Sequence, residues 1–104
     1  MENRRKDVRV PLQAQVTCIA ESRTMRGVTR NISESGIQVE LPELRKREKV
    51  QLGFRLSVSG SIVDATGAVI WIVGRRNGIK FKYMGEQSRM SIRQFIEDRK
   101  HVAS

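Results

Sequence analysis

Apolar residues return at every second position through most of this chain. In "KVQLGFRLSV" Val50, Leu52, Phe54, Leu56 and Val58 share one parity, and in "GIQVEL" Ile37, Val39 and Leu41 alternate with Gln38 and Glu40 before Pro42 stops the run. Successive side chains of a strand point to opposite faces, so this period suits half-buried strands and gives a helix no continuous apolar stripe. "LQAQVTCIA" alternates in the same way, and "TMRGVTR" reads as its antiparallel neighbour across an "ESR" turn. "SIVDATGAVIWIVG" begins by alternating and ends apolar at successive positions, which predicts a second half covered on both sides. Asn77-Gly78 predicts the next hairpin turn, because a type I′ turn needs positive φ at both central residues. "GIKFKYM" then places Ile79, Phe81 and Tyr83 inside and Lys80 and Lys82 outside. Only in "SRMSIRQFIEDRK" does the period change: Ile92, Phe95 and Ile96 recur at helical spacing, predicting an amphipathic helix over about 88–100 capped by Ser88 or Ser91.

About six short antiparallel strands and one terminal helix in 104 residues leave room for one core. Closing the sheet removes the open edges on which such strands would aggregate. The expected fold is therefore mainly β: a small six-stranded antiparallel β-barrel with a C-terminal α-helix that plugs or flanks one open end, over residues 11–104. Pro11 disfavours helix at Val10, so residues 1–10 read as a flexible basic arm ahead of the barrel. No apolar run approaches the roughly 18 to 20 residues that span a bilayer, and the N-terminus lacks a signal-peptide pattern, which predicts no membrane insertion and a cytoplasmic location. The single cysteine, Cys18, alternates with Val16 and Ala20 as a core residue does.

Twenty basic residues against eleven acidic ones give a formal charge of +9 and favour an anionic partner. The excess is spread along the chain, which argues against a simple basic tail. One histidine, His101, and one cysteine build neither a zinc site nor a Cys-His nucleophile pair, so no metal and no catalytic residue is expected. Asp7, Asp64, Glu86 and Glu97 are scattered among cations and read as solvated charges rather than an acid/base pair. The sequence carries no enzyme signature.

Two segments stand out: "RRKDVRVP" at residues 4–11 and "NISESG" at residues 31–36. Arg5 and Arg9 are four apart, so they point the same way on a strand and nearly so on a helix. A guanidinium can grip phosphate bidentately, read the O6 and N7 acceptors of guanine, or lie flat on a purine. Asn31 and Ser33 offer hydrogen bonds to a base edge, and Gly36 offers close backbone approach.

Arg5 to Arg9 fits RxxxR, and Asn31 to Gly36 fits (D/N)xSxxG, the paired motifs of PilZ domains. The sequence resembles that family over nearly its whole length, and "GIKFKYM" followed by "SRMSIRQFIEDR" resembles the family's closing strand and C-terminal helix. The resemblance implies a six-stranded barrel that binds the second messenger cyclic di-GMP without a further cofactor and passes the signal to a downstream protein. It places Arg5 and Arg9 on phosphate and guanine, Asn31 and Ser33 on the guanine edge, and Gly36 in the turn. The resemblance also implies that Arg4, directly before the motif, favours a stacked pair of ligands. Trp71 is assigned to the core.

Two other classes fit parts of the pattern. A basic barrel could bind single-stranded nucleic acid, but Phe54, Phe81, Tyr83 and Phe95 fall on core parities and leave a poor stacking surface, which argues against it. A barrel of the same fold could also act purely as a protein-interaction module.

Overall fold

The inward parity of each run becomes one closed wall. The computed structural model describes residues 7–103, with side chains for residues 7–100. Its strands are β1 (Val10–Pro11), β2 (Gln15–Ala20), β3 (Arg23–Ile32), β4 (Gly36–Glu40), β5 (Lys49–Arg55), β6 (Ile62–Val73) and β7 (Arg76–Met84), followed by helix α1 (Glu86–Ala103). They are ordered β1-β3-β2-β5-β6-β7-β4, and β4 pairs back onto β3. Six strands thus close an antiparallel barrel, and the two residues of β1 add onto β3 as Val10↔Ile32 and Pro11↔Asn31. Val10 is buried, so the fold reaches into the segment expected as an arm. The rest of that arm, residues 1–6 with Arg4 and Arg5, lies outside the described residues.

Val16, Cys18, Val39, Leu41, Leu52, Phe54, Val69 and Ile79 fill the interior. Each fully buried aliphatic or Phe side chain contributes about 1.5–3 kcal/mol relative to exposure, which is why strict alternation dictates the register. Burial pushes the Cys18 thiol up to about 11, Glu48 adding to the rise and Arg23 opposing it.

The barrel wall is one layer thick, and this overturns the expectation for the second half of β6. Ile70 and Val73 are 48% and 69% exposed, Ile72 is exposed as well, and Trp71 is half-buried. Helix α1 packs against β1 and β6 without covering these side chains. Tyr83, expected inside, is 70% exposed. A bulge between the Thr66↔Tyr83 and Gly67↔Phe81 pairs leaves Lys82 as an extra residue and shifts the inward parity.

The β6–β7 hairpin forms, but its turn is Gly74-Arg75, with Gly74 at φ +61°. Asn77 and Gly78 lie inside β7. Asn77 is 1% exposed, and its amide donates to the carbonyls of Leu41 (3.0 Å) and Arg75 (3.1 Å). Gly78 has Trp71 lying against it: a Cβ there would come within 2.2 Å of Trp71 Nε1. The dipeptide serves packing, while Gly74 supplies the positive φ.

Helix α1 begins at Glu86, ahead of both serines. The Arg89 N–H donates to the Gly85 carbonyl (3.0 Å), so Gly85 rather than Ser88 or Ser91 stands at the cap. Ile92 and Ile96 are buried, Phe95 is half-buried, and the Arg99 guanidinium lies 4.3 Å from the centre of the Phe95 ring. Among the described residues no helix is long and apolar enough to cross a membrane.

Candidate functional site

Strand β3 does not stop where alternation ends but runs on to Ile32, bringing Asn31 to the seam with β1. Its register against β4 shifts between Thr29 and Asn31, leaving Arg30 as the extra residue. Such a bulge re-aims the side chains beside it. Arg30 turns to Glu40, donating to its carboxylate at 2.8 Å, while Asn31 is only half-buried.

The loop that follows is built by Ser33. This residue is 0% exposed, and its hydroxyl oxygen accepts from the N–H groups of Ser35 and Gly36, each at 3.2 Å. The Ser33 N–H also donates to the Gly36 carbonyl at 2.9 Å. The hydroxyl is therefore turned into the loop and faces no open surface. Gly36 is required by the approach of β7, since a Cβ would meet the Ile79 carbonyl oxygen at 2.5 Å. The Phe81 N–H donates to the Ser35 carbonyl (2.9 Å), and Arg93 of α1 donates to Glu34 (3.3 Å). The loop is thus fixed to β7 on one side and to the helix on the other.

Residues 7–9 lie against this loop. Arg9 Nη1 donates to Asn31 Oδ1 at 2.7 Å, joining the second arginine of RxxxR to the first residue of the NISESG segment. Asp7 bridges the remainder: its Oδ1 accepts from the Ser35 hydroxyl at 2.8 Å, and its Oδ2 lies 4.0 Å from Arg9 Nη2. Of the expected site residues, Arg9 and Asn31 meet on the surface, and Ser33 and Gly36 shape the loop beneath them. Arg4 and Arg5 lie outside the described residues. Asp7 and Glu34 were not anticipated as part of this cluster. Asp7 is one of several carboxylates among arginines, and only the folded register places it opposite Ser35.

The Arg9–Asn31 contact lies at the surface. A hollow of about 940 Å³ lies elsewhere, on the outside of β2, β5 and β6 beside Phe95 and Arg99. Among the described residues, no group of three His, Cys, Asp or Glu side chains could hold a metal ion.

A sequence profile of the PilZ domain matches residues 3–98, which includes both motifs. The chain belongs to the PilZ domain family. This PilZ domain is similar in fold to the Bacillus subtilis Inhibitor of motility (MotI/DgrA), with a TM-score of 0.83 at 20% identity over 95% of this chain and 52% of that one. It is also similar to YcgR from Escherichia coli, solved in complex with c-di-GMP, with a TM-score of 0.79 at 18% identity over 97% of this chain and 48% of that one. Against the PilZ domain of CeSA from a cellulose synthesizing bacterium the TM-score is 0.66 at 19% identity, over 90% and 99% of the two chains. The chain spans about half the length of the first two proteins. No curated protein sequence matches this PilZ domain significantly.

Proposed function

We propose that this PilZ domain is a receptor for cyclic di-GMP, seated across the seam between the RxxxR segment and the NISESG loop. The observation that carries the reading is the 2.7 Å contact between Arg9 and Asn31. Two residues 22 apart in sequence present a guanidinium and a carboxamide side by side on one exposed surface. A guanidinium binds phosphate or the Hoogsteen edge of guanine. A carboxamide offers an acceptor for guanine N1–H or N2–H and a donor for O6. In the unliganded protein these two groups satisfy each other, and the nucleotide replaces that hydrogen bond with its own.

In this reading Arg9 and Asn31 contact the ligand, Arg5 adds a second guanidinium from the arm, and Ser33 and Gly36 hold the loop in shape. Arg4 ahead of the motif favours a stacked pair, so two nucleotides per chain are expected. The family and the c-di-GMP complexes of YcgR support the ligand class. The domain then acts as an adaptor rather than an enzyme: the nucleotide draws the arm onto the seam, and the surface so formed is read by a downstream protein. The Glu34–Arg93 contact gives the loop a link to α1 through which the change reaches the helix.

Calorimetric titration tests this. The whole chain binds cyclic di-GMP, and Arg9→Ala or Arg5→Ala each weakens binding by at least about 1.5 kcal/mol, the range of a hydrogen bond to a charged group. Binding unaltered in both variants would rule out the seam.

A further inference from the structure

A second surface carries charge that the nucleotide site does not use. On the outside of β5, β6 and β7 a hollow of about 680 Å³ is lined by Lys46, Arg47, Lys49 and Lys82 around a floor that includes Ala68 and Ile70, with no carboxylate in its lining. Glu48 stands between two of these cations in sequence but does not neutralise them. One of its carboxylate oxygens is taken by Arg23 and the other by the N–H of Arg45. Among the described residues none of the four cations forms an ion pair. Like charges around one concavity repel one another, an expense that an anionic occupant removes.

The hollow is also built. The Arg47 N–H donates to the Val69 carbonyl (2.7 Å), and the Val69 N–H donates to the Glu48 carbonyl (3.0 Å), which fixes the loop against β6 with Arg47 at φ +73°. Two register shifts between β6 and β7 leave one extra residue on each strand, Ile70 and Lys82, and both line the hollow. Bulges of this kind re-aim side chains and cluster next to functional sites. Ile70 itself is 48% exposed, and Val73, farther along β6, is a second exposed aliphatic side chain.

We propose that this face docks an acidic, amphipathic segment of a partner protein, its carboxylates on the four cations and an apolar side chain against Ile70. A cationic rim around an exposed aliphatic side chain is the complement of such a segment. Single-stranded nucleic acid fits less well. Trp71 is held against Gly78, which leaves the exposed Tyr83 as a lone ring beside the cations. An anionic membrane calls for a protruding apolar surface, whereas the cations here surround a concavity. The inference does not depend on the nucleotide reading, since it shares no residue with the seam.

The test titrates isotope-labelled protein with a synthetic peptide presenting one glutamate face and one leucine face, followed by NMR. Oligo-dT and phosphatidylglycerol vesicles serve as parallel probes. Amide shifts are expected over residues 46–49, 66–70 and 82. The double variant Lys49→Glu/Lys82→Glu weakens peptide binding by about tenfold or more, the scale of two lost charge-assisted contacts, and leaves cyclic di-GMP titration unchanged. Ile70→Ser, with the charges intact, weakens it severalfold. No peptide binding, shifts confined to another face, or an unaffected double variant overturns the proposal. So does preferential binding of oligo-dT or vesicles at the same residues.

Discussion

The carboxylate of Asp7 sits between two groups that a dianionic nucleotide would also seek. It accepts from the Ser35 hydroxyl and lies 4.0 Å from the Arg9 guanidinium. In the proposed complex it repels the incoming charge and competes for Arg9. Asp7→Asn keeps the shape and removes the charge, so cyclic di-GMP binding by calorimetry is expected to strengthen by about 0.2–1 kcal/mol, the size of an exposed ionic contact. Weaker binding would instead assign Asp7 to organising the seam. At this scale the sequence was legible for residues with one strong preference. Arg9 and Asn31 stood out by their motifs, and Cys18 by its parity. Asp7 is exposed as expected, but its bond to Ser35 was not legible, and Asn77 and Tyr83 were misread: Asn77 takes its place from the distant Leu41 carbonyl, and a bulge at Lys82 releases Tyr83 outward.

The connection between β4 and β5 is an element without regular structure that is nonetheless fixed, and Arg23 fixes it. From the start of β3 its guanidinium reaches the Glu43 carbonyl (2.9 Å) and the Glu48 carboxylate. Burial on its own would raise the Glu48 carboxyl, but the Arg45 N–H and the Arg23 guanidinium outweigh it and hold the group below its ordinary value of 4.5. Because the ionised form is favoured in the fold, this contribution is present above the unfolded carboxyl value and is lost as pH falls through the lower folded one. Arg23→Ala is expected to reduce stability at neutral pH by about 1 kcal/mol, since it leaves a partly buried carboxylate short of its donor. Urea denaturation from pH 7 down to pH 3 checks both parts: the two proteins differ most at pH 7 and converge in acid. Elements with uniform alternation, β2, β4 and β5, were legible from sequence because one inward parity has one favourable register. The end of β6 was not. Val69-Ile70-Trp71-Ile72 gives the same apolar string whether a strand is covered on both faces or bulged with one face bare, and only the single-layer wall decides between them.

At the scale of the whole molecule, barrel closure could be inferred because six short strands with one apolar face each have few other ways to hide their edges. What closure does for the site could not, since it depends on which strand ends become neighbours. Residues 9 and 31 meet only because β1 adds onto the end of β3, and the loop beneath them is held by β7 and α1. An unfolded chain offers no such seam, so in the proposed complex cyclic di-GMP binds the folded state alone, and one bound nucleotide adds RT ln(1 + [L]/Kd) to its stability, about 2.7 kcal/mol at a hundredfold excess over Kd. For a domain of this size each kcal/mol moves the melting temperature by roughly 4–8 °C, so a rise of more than 10 °C, in the region of about 11–22 °C, is expected in differential scanning calorimetry. A dianion drawn to a chain of formal charge +9 also feels the field of cations it never touches. The gain at fixed nucleotide concentration is therefore expected to shrink as salt rises from about 0.05 to 0.5 M, where the screening length falls well below the span of the molecule. At the same nucleotide concentration Arg9→Ala removes about half of the rise or more, as a loss of at least about 1.5 kcal/mol in binding requires. A full rise in that variant would mean that the nucleotide stabilises the barrel from somewhere other than the seam.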